Sequence, residues 1–129
     1  MLKSIGSSKN MTQTRAEIYK VGVNIPPEFL ERLMDSINEV MDPVYPKYDR
    51  TFMYWPIKGT WRPLPGAEPY NGTIGKVEVA DEIRLEFAVK KEDLKKVIGK
   101  IAEVHPYEEP AVDVIPMIAW KEFIPSDDR

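Results

Sequence analysis

The spacing of apolar residues along this chain changes from every second residue to every third or fourth residue, and the change occurs twice. Across Glu17–Ile25 apolar and polar residues alternate, which predicts a half-buried strand. Pro26 and Pro27 end this strand and open a helix, because the first turn of a helix tolerates proline. Apolar residues then recur at helical spacing through about Met41. A strand followed directly by an amphipathic helix is therefore the first predicted unit.

The second half of the chain repeats this order. Val77–Val89 alternates most clearly and predicts a long strand, although Asp81 falls on its apolar face and suggests a bulge or bend. The charged residues of this strand face the other way: Glu78, Glu82, Arg84 and Glu86. Lys91–Val104 has the spacing of an amphipathic helix. Ala111–Met117 is an apolar run after Pro110 and predicts the last strand.

The segment between the two units contains one further strand and a long loop. Tyr48–Ile57 is rich in aromatic residues and predicts the strand. Pro56 places it at the edge of a sheet or interrupts it. Gly59–Gly75 contains too much glycine and proline for regular structure. The order strand, helix, strand, strand, helix, strand predicts an α+β, ferredoxin-like βαββαβ sandwich, in which an antiparallel four-stranded sheet carries two helices on one face.

The predicted domain covers residues 15–118, and the segments on either side differ from it in composition. Residues 1–14 are polar and rich in Ser, Lys and Thr, so we expect a disordered N-terminal tail. Residues 119–129 form a C-terminal tail that still contains Trp120 and Phe123. We expect such large apolar side chains to dock on this domain or on a neighbour.

Composition argues against several classes of function. The chain has 129 residues, which suggests one domain, and its net charge of -3 comes from interspersed acids and bases, so no basic surface for nucleic acid is visible. It has no cysteine, and therefore no disulfide, thiolate metal site or cysteine nucleophile. No run approaches the roughly 20 apolar residues of a membrane span, and residues 1–14 lack the apolar core of a signal peptide. We therefore expect a soluble, cytoplasmic protein with no nucleic-acid or membrane partner.

The segment His105–Asp113 holds the only histidine of the chain, and two prolines stiffen it. Pro106 forbids the preceding helix from continuing, and Pro110 restricts the residue before it just ahead of the last strand. The sequence therefore predicts a short, rigid corner that carries a histidine, a tyrosine and two glutamates.

This corner has two interpretations. His105, Glu108 and Glu109 could bind a divalent metal, since imidazole and carboxylate are metal ligands and three protein ligands with an open position are typical of catalytic zinc. Alternatively, His105 caps the end of the helix as a cation, Tyr107 fills the core, and the glutamates are solvated or paired with Arg62. We favour the second interpretation, because adjacent carboxylates in an extended segment point to opposite faces.

The loop Trp61–Gly72 also has two interpretations. The planar guanidinium of Arg62 could hold a phosphate or a carboxylate, and Gly66 and Gly72 would let the backbone approach a ligand. Alternatively, the prolines and glycines only shape the turn, and Arg62 pairs with a local carboxylate. No Walker-type phosphate loop is present.

The aromatic residues around this loop allow a similar choice. They are Tyr54, Trp55, Trp61 and Tyr70. Their rings could stack on a nucleotide base, although aromatic residues in so small a domain more commonly form a subunit interface.

Three ordered segments carry a resemblance to a known family. Trp61–Gly72, then Gly75-Lys76-Val77-Glu78, then His105–Asp113 resemble the YqfO domain, which occurs as an insert in the dinuclear-metal proteins often called type 2 GTP cyclohydrolases, the NGG-interacting-factor family. The resemblance covers about Glu17 to Met117. Through Pro106-Tyr107-Glu108 and Pro110 the chain is also similar, more weakly, to the CutA divalent-ion-tolerance proteins and the nitrogen-regulatory PII proteins. The single histidine here cannot supply a multi-histidine dinuclear centre, so the enzymatic name of the family is not transferred.

The resemblance implies a stand-alone module that assembles as a homo-oligomer, with a trimer favoured by the similarity to CutA and PII. Such a module would bind a small ligand or a divalent metal ion in a regulatory or scaffold role. The expected ligand-binding residues are Trp61, Arg62, Gly66, Gly72 and Tyr107, and the expected metal ligands are His105, Glu108 and Glu109. Two alternatives stay open: a metal-dependent hydrolase or cyclohydrolase that acts through those metal ligands, and a docking partner of a larger protein that carries the metal domains of the family.

Overall fold

The structure is a computed structural model that describes residues 16–125. Residues 1–15 and 126–129 lie outside the described part, and so does the tail expected over residues 1–14. The strands and helices, in chain order, are β1 Ile18–Ile25, α1 Leu30–Val40, β2 Met53–Trp61, β3 Glu78–Lys90, α2 Leu94–Val104 and β4 Val112–Met117. A single 3-10 turn precedes each helix, at Pro27–Phe29 and Lys91–Asp93.

The four strands form one sheet in the order β2-β3-β1-β4, and every neighbouring pair is antiparallel. This order, with a helix after β1 and another after β3, confirms the predicted ferredoxin-like fold. Pro56 lies in β2, which is an edge strand, as the sequence predicted. An edge strand has a neighbour on one side only. A proline there, which has no N–H, need not deprive a neighbouring strand of a hydrogen bond.

The hydrophobic core lies between both helices and one face of the sheet. Two strands, β1 and β3, contribute alternate residues to it, and the two helices contribute helically spaced ones: Val21, Val23, Ile25, Leu33, Ile37, Leu85, Phe87, Val89, Val97 and Ile101. Phe52, just before β2, adds an edge-to-face contact with the ring of Phe87, at a centroid distance of 5.3 Å. The periodicity of the sequence thus predicted the buried face correctly.

The predicted second strand was wrong at its beginning. β2 starts at Met53 rather than at Tyr48, and it continues to Trp61, into the segment expected to be irregular. Lys47 and Arg50 have positive φ angles of 74° and 55°, which an extended strand does not allow. The chain therefore turns at this point, and Tyr48 is 68 % exposed.

The bulge expected at Asp81 was also wrong. The pairing of β2 with β3 runs without interruption from Trp61 opposite Glu78 to Met53 opposite Glu86. Asp81 lies opposite Lys58 and forms an exposed ion pair with it. Asp81 lies on the face that carries the core, but this end of the strand extends beyond the core and is open to solvent. Val79, two residues earlier on the same face, is likewise 63 % exposed.

The segment after β4 forms one 3-10 turn, Trp120–Phe123. The side chains of Trp120 and Phe123 are 61 % and 76 % exposed, so neither is buried against the described part of this domain. Neither helix of the part that the structure describes has the length and apolar character of a membrane-spanning segment.

Candidate functional site

A cavity of about 500 Å³ opens at one end of the sheet, between the loop that joins β2 to β3 and the corner that joins α2 to β4. Its floor comes from three strands, through Asn24, Gly59 and Glu82. One wall is the loop from Trp61 to Asn71, and the other is the corner from Tyr107 to Ala111. The structure therefore brings together the two segments that the sequence analysis singled out.

An aromatic cluster joins the two walls, with Tyr107 at its centre. The ring of Tyr107 lies 5.5 Å from that of Trp61, 6.0 Å from that of Tyr70 and 4.9 Å from that of His105, measured between centroids. Trp61 is the last residue of β2, so its ring emerges from a fixed strand, and its indole N–H donates to the carbonyl of Asn71 at 3.1 Å. The cluster thus places several ring surfaces along one cavity.

Glu82 is the polar residue of the floor that the sequence analysis did not single out. It was predicted to face away from the core, and it does, yet it is only 4 % exposed because the loop and the corner cover this end of the sheet. The hydroxyl of Tyr107 donates to its Oε2 at 2.8 Å. Burial, followed by this hydrogen bond, raises the pKa of Tyr107, which keeps the phenol protonated as a donor.

The second oxygen of Glu82, Oε1, has no hydrogen-bond donor among the described residues. Every fully buried side-chain oxygen or nitrogen in the described part has a hydrogen-bond partner. Because Oε1 has none, it is not fully buried, and its accessible surface faces the cavity that Glu82 lines. This oxygen lies over the backbone of Gly59, where an added Cβ atom would be 2.0 Å away. A glycine inside a strand commonly marks such a close approach, and this signal could have located the site.

His105 is 6 % exposed, and both of its ring nitrogens are engaged. Nδ1 accepts a hydrogen bond from the backbone N–H of Tyr107 at 3.2 Å, so Nε2 carries the proton and donates to the carbonyl of Asn24 at 2.6 Å. Burial lowers the pKa of His105, against the opposing effects of this bond and of the charge on Glu82. The expectation that His105 caps the helix as a cation is therefore wrong: its backbone N–H caps α2, through the carbonyl of Ile101, and its neutral ring positions Tyr107.

The three residues expected to bind a metal are not gathered into a ligand set. Glu108 accepts the backbone N–H of Glu68 at 2.8 Å, which ties the corner to the opposite wall, and Glu109 is exposed at the rim. Both nitrogens of His105 are used as described above. In residues 16–125 no three His, Asp or Glu side chains are placed to hold a metal ion.

The remaining expected ligand-binding residues divide into two pairs. Trp61 and Arg62 line the cavity, and within the described part no carboxylate is close enough to Arg62 for an ion pair, so the expected local pairing is absent there. Gly66 and Gly72 do not line it. Both have positive φ angles, of 99° and 117°, and they shape the loop. An added Cβ at Gly72 would lie 3.3 Å from the indole nitrogen of Trp61, so this glycine helps to seat that ring.

An ionic network next to the floor also escaped the sequence analysis. Arg84 donates to the side-chain oxygen of Asn24 at 3.1 Å and forms ion pairs with Asp113 and Glu86. Its guanidinium lies over Gly22, where an added Cβ would be 2.0 Å from a guanidinium nitrogen. The network ties β1, β3 and β4 together beside the cavity.

Fold and site together define a small ferredoxin-like module with a ligand-sized cavity between its β2–β3 loop and its α2–β4 corner. No family model matches the chain. Its curated relatives include the GTP cyclohydrolase 1 type 2 homolog of Staphylococcus epidermidis, 36 % identical over 105 residues, which are 81 % of this chain and 29 % of the relative. The protein of the same name from Bacillus subtilis is 32 % identical over 98 residues, which are 76 % of this chain and 26 % of the relative.

Solved structures agree with these relatives. A Bacillus cereus protein related to NIF3 superposes with a TM-score of 0.69 at 27 % identity, over 81 % of this chain and 26 % of that one. The CutA protein of Archaeoglobus fulgidus superposes with a TM-score of 0.58 at 21 % identity, over 83 % of this chain and 91 % of that one. Bacillus subtilis GlnK superposes with a TM-score of 0.55 at 15 % identity, over 79 % of this chain and 86 % of that one. These last two likenesses show the fold alone.

The comparisons confirm the resemblance to the YqfO-type domain of the GTP cyclohydrolase 1 type 2 homologs. The chain spans less than a third of the length of the curated relatives that it matches. What those longer proteins do as a whole is therefore not carried over to it.

Proposed function

We propose that this chain is a regulatory module that binds a small organic molecule in the cavity described above and that it does so as a homo-oligomer. The observation that carries the proposal is the carboxylate of Glu82, which is almost buried, is held by one hydroxyl and presents its other oxygen to the cavity. A volume of about 500 Å³ with aromatic walls and a few polar groups is typical of small-molecule sites.

The geometry favours binding over turnover. The only imidazole of the chain, His105, would have to break a hydrogen bond to Asn24 or to Tyr107 before it could accept a proton from a substrate. The donors that a metal-dependent hydrolase would need are not assembled among the described residues. A site whose only imidazole is already engaged, and whose floor carboxylate is held in place by the fold, is suited to binding a ligand.

An exposed apolar surface on the sheet supports the proposed homo-oligomer. On the sheet face opposite the helices, Met53, Trp55 and Ile115 are 56 %, 40 % and 53 % exposed. Exposed aromatic and methionine side chains on one face commonly form subunit contacts. We propose a trimer, which the similarity to CutA and PII favours.

The test measures thermal unfolding of the full chain with panels of nucleotides, amino acids, amines and divalent ions, and light scattering on the same samples. Nucleotides belong in the panel because one neighbour was solved as a GlnK-ATP complex and the relatives' names contain GTP. A ligand at 100 times its dissociation constant stabilises the native state by about 2.7 kcal/mol, which raises the melting temperature by roughly 10 °C in a domain of this size.

The matched variants are Trp61→Phe, inside the cavity, and Tyr54→Phe, on the same strand but outside the cavity and on the face opposite Trp55. We expect the stabilisation to weaken in Trp61→Phe and to persist in Tyr54→Phe. A protein that no compound stabilises would contradict ligand binding and favour docking on a larger protein. A monomer in light scattering would contradict the assembly.

A further inference from the structure

We infer, building on the proposed function, that the ligand of this cavity is a nitrogen-containing organic cation, a guanidinium or ammonium compound, and that Glu82 is its counter-ion. The N–H groups of the ligand would donate to Oε1 of Glu82, and its apolar part would pack on Trp61 and Tyr107. Four features of the site support this class of ligand.

The first feature is a buried negative charge without a counter-charge. Glu82 is 4 % exposed, and no lysine or arginine of the described residues forms an ion pair with it. Arg84, two residues along the same face, is engaged by Asp113 and Glu86. A buried carboxylate is costly unless a cation and hydrogen bonds compensate for its lost hydration. A cationic ligand would supply both.

The second feature is that the carboxylate is oriented in advance. Tyr107 holds Oε2, and the ring of His105 accepts the backbone N–H of Tyr107 and so fixes the corner that carries it. The absence of a side chain at Gly59 leaves the space in which Oε1 lies. One oxygen is thus held by the protein while the other is available to a donor, and such preorganisation lowers the cost of binding.

The third feature is the aromatic lining. Trp61, Tyr70 and Tyr107 all line the cavity, and their rings are tilted against one another rather than stacked. Cations are attracted to the faces of such rings, and more strongly where the site is shielded from water.

The fourth feature is the sign of the charges around the opening. The lining contains three carboxylates, from Glu82, Glu108 and Glu109, and one guanidinium, from Arg62. This balance attracts a cation and repels a phosphate. Arg62 at the rim would suit a carboxylate at the far end of a zwitterionic ligand.

The experiment uses two ligands that differ almost only in charge. Arginine and citrulline have nearly the same shape, but arginine ends in a guanidinium and citrulline in a neutral urea group. Agmatine, lysine and putrescine extend the series of cations, and ATP and GTP represent anions. Binding is measured on the full chain by calorimetry and by backbone amide shifts. We expect at least one cation to bind, with citrulline at least tenfold weaker than arginine if arginine is that ligand.

The matched variants are Glu82→Gln, which removes the charge at nearly constant shape, and Glu78→Gln, on the same strand and face but outside the cavity lining. We expect Glu82→Gln to weaken cation binding at least thirtyfold and Glu78→Gln to change it less than twofold. The ligand-free Glu82→Gln protein should melt at or above the temperature of the unmodified chain, because a buried charge without a counter-ion has been removed.

The outcomes separate this inference from the proposed function. If only nucleotides bind, or if cations bind equally well to Glu82→Gln, the inference is refuted and a small-molecule site remains. If no compound binds, both are refuted. Should Glu82→Gln fail to fold, two other measurements decide the question. The unmodified chain should bind arginine more tightly than citrulline, and cation binding should weaken in Tyr107→Phe, which loses the hydroxyl that holds Oε2 of Glu82. Equal binding in both comparisons refutes the inference.

Discussion

Adding one methyl group at Gly59 tests whether the carboxylate of Glu82 lies where the site requires it. In Gly59→Ala the new Cβ would be 2.0 Å from Oε1 and 2.8 Å from the carboxyl carbon of Glu82, which is closer than real Cβ contacts. The carboxylate must therefore move. A carboxylate is the end of a flexible side chain, but this one is confined, since it is 4 % exposed and bonded to Tyr107.

The expected magnitude follows from two opposing effects. Moving the carboxylate breaks a hydrogen bond to a charged acceptor, which costs about 1.5–3 kcal/mol. Alanine in place of glycine inside a strand gains about 0.5–1 kcal/mol through the lower entropy of the unfolded chain. We expect Gly59→Ala to lower the free energy of unfolding by about 1–2 kcal/mol, which lowers the melting temperature by roughly 4–7 °C.

A double-mutant cycle isolates the contact, and urea unfolding with a linear extrapolation measures each free energy. With Glu82→Ala in the background the collision is gone, so Gly59→Ala should become stabilising by about 0.5–1 kcal/mol. Gly99→Ala is the control for the intrinsic effect of the substitution: nothing lies within 4 Å of an added Cβ there, and the residue is exposed on α2, so it should stabilise by about 0.5–1 kcal/mol. If Gly59→Ala has the same sign in both backgrounds, the close approach of Glu82 to Gly59 is refuted.

Two further predictions concern pH and the core. Because the pKa of His105 is lower in the folded protein than its ordinary value near 6.5, the unfolded chain binds the extra proton, and stability falls as the pH drops below about 6.5. Melting temperatures between pH 7.5 and 5.5 should therefore decline more steeply for the unmodified chain than for His105→Gln, and parallel curves would refute this assignment. Leu33→Ala should cost about 2–5 kcal/mol in urea unfolding because Leu33 is 0 % exposed, whereas Lys58→Ala, in an exposed ion pair, should cost less than about 1 kcal/mol. Similar losses for the two variants would contradict the placement of the core.

The fold was predictable because it depends on periodicity, which a sequence displays directly. Alternation in β1 and β3 and helical spacing in α1 and α2 determine which residues can be buried together, and Val21, Leu85 and Val97 do meet in the core. The beginning of β2 was not predictable in this way. The aromatic residues before Met53 have high strand propensity, but the backbone at Lys47 and Arg50 takes a left-handed conformation that propensity does not reveal.

The candidate site was predictable only in part, for a similar reason. The prolines and glycines around Trp61 and Tyr107 indicated two stiff segments, and the structure places them on opposite walls of one cavity. Alternation assigned Glu82 to the face away from the helices, where a charged residue is expected to meet water. Whether that face is covered depends on how the β2–β3 loop and the α2–β4 corner fold back over the sheet. The burial of Glu82 is therefore a property of tertiary structure.

The strands build the floor of the cavity and the loops build its walls, and this difference bears on ligand selectivity. Glu82 and Gly59 belong to strands whose pairing is continuous through them, so the charge on the floor has a fixed position. The walls are a loop and a corner. The hydrogen bond from the backbone N–H of Glu68 to Glu108 joins one wall to the other, and the indole N–H of Trp61 donates to Asn71 within the first wall. Loops on a rigid scaffold vary and move more readily than the scaffold itself. A cationic ligand of the kind inferred above could open the walls by breaking the Glu68–Glu108 bond while its charged end still met the same carboxylate. We therefore expect substitutions in the strands to change selectivity for charge and substitutions in the loops to change the response to binding.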